Sequence, residues 1–437
     1  MDNTPFMKAD EIGRRQFLAD AARKYLGVTV APMLGASLAS PALAQSTRRS
    51  KGGGQAEHVI FLNMSGGMSH IDTFDIKNKK EVQGPVGHIG SAADYQISEF
   101  LPKTAAILDK ACVINSMTSK QGAHRQGQYQ LRKSYAPRGT IQHPTMGSWV
   151  VRLKGRKNLT LPGFVTVNGD PSPGFFGAEF GGVPLGRPSD GLQNSSMAHT
   201  VDENAFTKRL AIADAMNQNF HERYKTPQVK AYESLYDEAV KLMKSEDLKA
   251  FDLDQEDSKT RQSYGKSDFS QGCLLARRLV EAGVRFVEVR HGSWDTHYDN
   301  FAAVESRARV LDEGYAALMT DLDKRGLLAK TLVVISTEFG RTPRIVQEHS
   351  SGRDHHPSAF STVVAGGGIK GGERYGSTDS DGNKVKSNPV THQDLNATMA
   401  YALGLNHKQV VNSPSGRPFR MGGPDAEIGS PITSIFG

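Results

Sequence analysis

Residues 58–75 read HVIFLNMSGGMSHIDTFD: an apolar run over 58–64, a break at Ser65-Gly66-Gly67, then His70, Asp72 and Asp75. A run of that length without polar alternation fits a strand buried on both faces, as in the interior of a parallel sheet. Five more stretches repeat it, at 111–115, 164–167, 284–289, 331–337 and 361–366. Helix-like segments lie between them, at roughly 200–247, 271–282, 301–325 and 392–403. In the third of these Val304, Leu311, Tyr315, Leu318 and Leu322 share one face. Thr391 precedes the last and Gly404 stops it. Alternation of this kind predicts one α/β domain, a doubly wound, mostly parallel sheet flanked by helices with inserted loops. No internal repeat is present.

In open α/β sheets, ligands bind beyond the carboxyl ends of the strands. The polar residues of this chain gather where that rule places them. Ser65, His70, Asp72 and Asp75 follow the first run; Ser116, Ser119 and His124 follow the second. Residues 291–300, HGSWDTHYDN, follow the fourth, Glu338-Phe339-Gly340-Arg341 the fifth, and Arg353-Asp354-His355-His356 precedes the sixth. Of 14 histidines, His124, His291, His297, His355 and His356 fall in these loops, and most of the others read as scattered surface or loop residues. Imidazole with carboxylate is the donor mixture of zinc, manganese or iron, whereas calcium and magnesium prefer oxygen alone. The expected ligands of a divalent metal are Asp295, His297, Glu338 and His355, with Asp72 a further candidate. Neighbouring rings diverge, so one of the pair His355 and His356 is expected to stand behind the ligands rather than among them. Arg341 and Arg353 are expected to clamp anionic oxygens, since a guanidinium does so with two parallel bonds. The nucleophile stays open among Ser65, Ser119, His124 and a metal-bound water. His291, Asp299 and Asn300 read as supporting or helix-capping residues.

Composition sets outer bounds. The chain has 437 residues, 38% of them hydrophobic and 23% charged, enough for a large core. Its net charge of +7 is well mixed along the chain, which suits an anionic substrate and argues against a nucleic-acid partner. Cys112 and Cys273, both in apolar stretches, read as buried free thiols and exclude a disulfide framework. Near the start, Arg14-Arg15 is followed by Phe17-Leu18, a modestly apolar stretch over 25–43, and Ala42-Leu43-Ala44. That order predicts a twin-arginine export signal over 1–44, cleaved after Ala44, with a glycine-rich linker at 45–57 and the folded domain at 58–437. No later stretch reaches the roughly 20 apolar residues a membrane span needs, so a periplasmic or secreted location is expected.

The segments MSGGMSHIDTFDIK, HGSWDTHYDN, TEFGRTPRI, GRDHHP and VVAGGGIKGGERYGSTD together resemble the bacterial domain-of-unknown-function family 1501. The resemblance extends over the chain from about Val59 onward. It implies the alkaline phosphatase and sulfatase fold, twin-arginine export, one or two divalent metals, and hydrolysis of phosphate, phosphonate or sulfate esters. It also implies a partner among other exported proteins of one pathway. By that pattern His124 lies near the nucleophile position, Asp295 and His297 fill an Asp/His loop, and His355 or His356 supplies a final histidine. Asn63 and Ser65 stand where the first-strand Asp belongs, and Glu338-Phe339-Gly340 replaces Asp-His-Gly. The absence of a Cys-x-Pro-x-Arg segment argues against a formylglycine sulfatase. The departures leave an alternative, a catalytically degenerate relative that binds a ligand or partner.

Overall fold

A computed structural model describes residues 53–193, 195, 201–223 and 236–437. The predicted export signal lies outside them, as does most of the linker. Six strands form at the predicted runs: β1 (His58–Met64), β2 (Ala111–Met117), β3 (Phe164–Val167), β5 (Phe286–His291), β6 (Thr331–Ser336) and β9 (Phe360–Ala365). Shorter pieces are β4 (Val183–Leu185), β7 (Gly340–Arg341), β8 (His355–His356) and β10 (Arg374–Tyr375). The main sheet has eight strands in the order β10-β2-β9-β6-β1-β5-β3-β4. The central strand β1 pairs in parallel with β5 and β6. Only β9 is reversed, antiparallel to β2 and to β6. The fold is therefore the doubly wound, mostly parallel α/β sheet that the apolar runs predict.

Side chains alternate between two cores, as the two-residue period of a strand requires. Ile60, Leu62 and Met64 face one core with Val287, Val289, Val333 and Ile335. The helices α4 (Asp268–Glu281) and α5 (Asn300–Lys324) cover it, through residues such as Leu274, Leu275, Leu311 and Leu318. Val59 and Phe61 face the other core with Phe164, Phe286 and Val334. There α2 (Met146–Lys154) and α6 (His392–Ala402) close the layer with Trp149, Val150, Leu395 and Met399. Each such fully buried side chain contributes about 1.5–3 kcal/mol, which explains why both faces need cover. Within the long polar segment, α3 (Glu203–Arg223) and residues 236–243 are helical. Both cysteines are buried and free.

Two details depart from the sequence reading: where β5 begins and where four of the histidines lie. β5 starts at Phe286 rather than Val284, because the Val284 amide still bonds to the Leu279 carbonyl and closes the turn after α4. The glycine-rich stretch at 170–185 is docked: Phe176 meets Trp149 edge-on and Phe175 packs against Phe419. His58, His70, His143 and His392 are buried, not scattered on the surface. No helix among the described residues is long and apolar enough to cross a membrane.

A candidate metal centre

Three loops at the carboxyl edge of the sheet meet in one place. Asp295 and His297 come from the loop after β5, His355 from β8, and His124 from the first turn of α1 (His124–Lys133), which follows β2. Because β9 runs backwards, its amino end lies at this edge, and the stretch leading into it delivers Arg353-Asp354-His355. Two glycines permit the close approach. A Cβ at Gly66, where φ is +120°, would sit 2.5 Å from the Asp295 amide nitrogen. A Cβ at Gly352 would sit 1.7 Å from the His297 carbonyl oxygen.

Asp295 is the hub. Its Oδ1 lies 3.2 Å from His297 Nε2 and 3.3 Å from His355 Nε2, and the two Nε2 atoms are 2.9 Å apart. Its Oδ2 lies 3.2 Å from His124 Nε2. The donor atoms of His124, Asp295 and His355 all fall within 4.8 Å of one another. Burial opposes the charge on Asp295, but the Arg341 guanidinium bonded to it prevails, and the carboxyl is held at about 2.

The other face of each ring decides what these nitrogens present. His355 Nδ1 is 2.8 Å from the Gly122 carbonyl, which can only accept, so Nδ1 carries the hydrogen. His297 Nδ1 donates likewise to Asp354 at 2.9 Å. His124 Nδ1 donates to Glu338 at 2.7 Å. In the neutral rings all three Nε2 atoms are then lone pairs directed at a carboxylate. Lone pairs 2.9 Å apart repel unless a cation lies between them. Donors at about 2.0–2.1 Å around one tetrahedral ion stand about 3.3 Å apart; Asp295 Oδ1 keeps that spacing to the two rings, at 3.2 and 3.3 Å, and the Nε2 pair is closer, at 2.9 Å. His124 Nε2 is also buried, in contact with Asp295 Oδ2 at 3.2 Å but without a well-aligned hydrogen bond. The donor set fits a borderline divalent ion with imidazole and carboxylate ligands.

Glu338, expected among the ligands, stands one bond behind them. It is fully buried and accepts from His124 Nδ1, from the Gly66 amide at 2.9 Å and from Gln128 at 2.6 Å. Burial works against its charge, and the His124 bond leads the contacts that nonetheless lower its pKa. The same contact raises the His124 pKa against the effect of burial. Gln128 also bonds Asn63, which donates to the buried Glu288, itself paired with Arg132.

Other expected site residues lie elsewhere. Asp72 is buried and receives two bonds from Arg353, at 2.9 and 3.0 Å, with a third from Asn300. Arg353 spends its remaining donors on the carbonyls of Val82, Thr342 and Pro343, so neither residue is available to an ion or a substrate. Arg341 is likewise fully buried, bonding Gly66, Gly67, Arg353 and Asp295; it braces Asp295 and presents no accessible surface to an ester. His356 points away from His355, stacks on His70 and bonds the Asn383 carbonyl. His291 reaches the Arg307 carbonyl. Asn300 supports Asp72 rather than capping its helix, and the Asp299 side chain makes no cap bond. The Ser65 hydroxyl accepts from Arg290, and the Ser119 hydroxyl donates to Gln130. Sequence reasoning missed Asp354 and Gln128. Asp354 sits beside His355, and a carboxylate next to a ligand histidine was the available signal.

An α/β sheet with imidazoles and a carboxylate converging at the carboxyl ends of its strands defines the class, an α/β protein with a candidate metal centre. The chain belongs to DUF1501, a family of proteins of unknown function whose model matches residues 56–433. No curated protein matches it. Among solved structures it is similar to a mutant form of alkaline phosphatase PafA, at 11% identity over 90% of this chain and 100% of that one, TM-score 0.44. The lipoteichoic acid synthase LtaP from Listeria monocytogenes shares 10% identity over 89% and 80%, TM-score 0.40. The PsFucS1 sulfatase from Pseudoalteromonas sp. shares 12% over 88% and 72%, TM-score 0.39.

Proposed function

We propose that this chain is an exported, metal-dependent hydrolase of phosphate, phosphonate or sulfate esters. One observation carries the reading: His297 and His355 present Nε2 lone pairs 2.9 Å apart over Asp295, with both Nδ1 atoms already committed. His297, His355 and Asp295 would hold one zinc, manganese or iron ion, and three protein donors are the usual count when a position is kept for substrate. When bound, such an ion polarises an ester oxygen and makes water acidic enough to attack near neutral pH. The chain's own residues do the rest. Arg341 keeps Asp295 ionised and fixed, while Asp354 and the Gly122 carbonyl set the tautomers of the two ligand rings. His124, on the other oxygen of Asp295, is free to exchange a proton at Nε2, with the Glu338 carboxylate stabilising the charged ring.

The test is elemental analysis of the purified mature chain, followed by a panel of phospho-, phosphono- and sulfo-esters. One bound metal with turnover on the panel, abolished by His297→Ala, is the expected result. Absence of stoichiometric metal would overturn it. A second reading, a silent relative that binds a ligand or partner, draws on the commitment of the Ser65 and Ser119 hydroxyls to protein partners. Metal without turnover on any ester is its signature.

A further inference from the structure

The candidate centre is shallow. The Asp295 side chain is 44% exposed, His297 33% and Asp354 54%. Beside the centre lies a groove of 560 Å³, with Lys80, Glu81, Phe301, Arg344, Ile345 and Ser351 in its lining. The two features adjoin through one stretch of chain. Ser351 on the groove rim is followed by Gly352, whose backbone packs against the His297 carbonyl and the Tyr298 amide. Tyr298, 62% exposed, stands next to the ligand His297.

The groove sets exposed cations over an apolar floor. Lys80 and Arg344 are exposed, and neither forms an ion pair with a described residue, so two cations face one carboxylate, Glu81. Phe301 and Ile345, half-buried, supply the apolar floor on which a sugar face can rest. The buried Arg353 stacks on the same Phe301 ring at 5.5 Å and fixes it in place.

We propose that the groove is a second subsite for an extended anionic polysaccharide, in which Lys80 and Arg344 receive a sulfate or phosphate group of the chain while another reaches the metal centre. The assignment rests on the hydrolase reading for the second contact but not for the first.

The experiment measures binding of fluorescein-labelled dextran sulfate to the metal-loaded mature chain at fixed salt, with uncharged dextran as control. A phosphorylated dextran in a parallel arm separates the two anion types. The paired variant Lys80→Glu/Arg344→Glu is expected to weaken sulfated or phosphorylated dextran by about tenfold or more, the scale of losing two charge contacts to a polyanion. A remote pair of exposed cations, Lys408→Glu/Arg417→Glu, controls for net charge and is expected to change binding less than about twofold. The milder Lys80→Gln/Arg344→Gln pair gives a smaller loss in the same direction, and unchanged metal content shows that both groove variants are folded. Equal losses from the groove pair and the remote pair would overturn the proposal, as would failure of the parent chain to prefer either charged polymer over dextran. Binding is read without turnover. Groove-dependent binding with no hydrolysis therefore sinks the hydrolase reading alone, whereas hydrolysis of short esters with groove-independent binding sinks the subsite alone.

Discussion

His297 and His355 meet nitrogen to nitrogen, Nε2 to Nε2 at 2.9 Å, though they are 58 residues apart in the chain. Each ring has spent its other nitrogen on a fixed acceptor, so the pair is arranged for a cation and poorly arranged without one. Thermal stability should accordingly depend on metal. Chelation is expected to lower Tm by a few degrees, since occupancy at 100 times Kd contributes about 2.7 kcal/mol. Differential scanning calorimetry with and without added zinc reads the shift. His297→Ala should remove it, and an identical shift in that variant would show that the metal binds elsewhere.

Asp354 holds the tautomer of His297 through that ring's Nδ1, and among the described residues its carboxylate bonds neither Asp295 nor His355. Its replacement by Ala should reduce metal affinity about 10–100-fold, as loss of such orienting carboxylates generally does. Asn, which can still accept from Nδ1, should retain more of the affinity. Competition with a chromogenic chelator measures both. Equal affinity for all three proteins would remove Asp354 from the centre.

His124 and the proposed ligands His297 and His355 should separate experimentally. His124→Ala is expected to keep the metal yet lower kcat by about 10²–10⁴-fold, the usual effect of losing a proton-transferring side chain. Metal loss from this variant to the extent seen with His297→Ala would instead make His124 a ligand.

The Asp72–Arg353 pair is a structural matter. Both side chains are fully buried, and removing one partner leaves an uncompensated charge, a cost of about 3–5 kcal/mol. Asp72→Asn should therefore lower the urea midpoint while leaving metal stoichiometry at the parent value. Loss of metal with unchanged stability would restore Asp72 to the ligand set.

A fifth expectation concerns acid. Burial opposes the charge on Glu256, but Arg277, Arg278 and Arg325 outweigh it and lower its pKa below the ordinary 4.5. A carboxyl lowered on folding stabilises the native state at pH above its unfolded value, and that stability is lost as pH falls through the folded value. Glu256→Gln should thus cost stability at pH 7 and flatten the decline between pH 5 and the acid limb. Parallel parent and variant curves over that range, followed by circular dichroism, would contradict the assignment.

The six buried strands were legible because a strand covered on both faces is apolar at most of its positions, with few polar residues interrupting the run. The reversal of β9 was not, since apolar runs carry no direction. α1 was hidden by its own polarity: HRQGQYQLRK offers little apolar face, because its inner side meets Glu338, Asn63 and Asn396. Within the site, Asp295, His297 and His355 converge as the strand-end rule anticipates. Asp72 and Glu338 do not, because a carboxylate at a strand end can serve an arginine or an imidazole as readily as an ion. Only the partner, invisible in sequence, separates these fates.

The reversed β9 also has a kinetic consequence. Its incoming loop supplies His355, while Asp295 arrives from the far side of β1 and His124 from the edge beyond β9. Donors so distant along the chain cannot gather until β2, β5, β6 and β9 have all docked, and contacts of such high order form slowly. Capture of the proposed metal then belongs to the end of folding, and the rate at which the refolding chain quenches a free-zinc dye is expected to report when the last strand has locked.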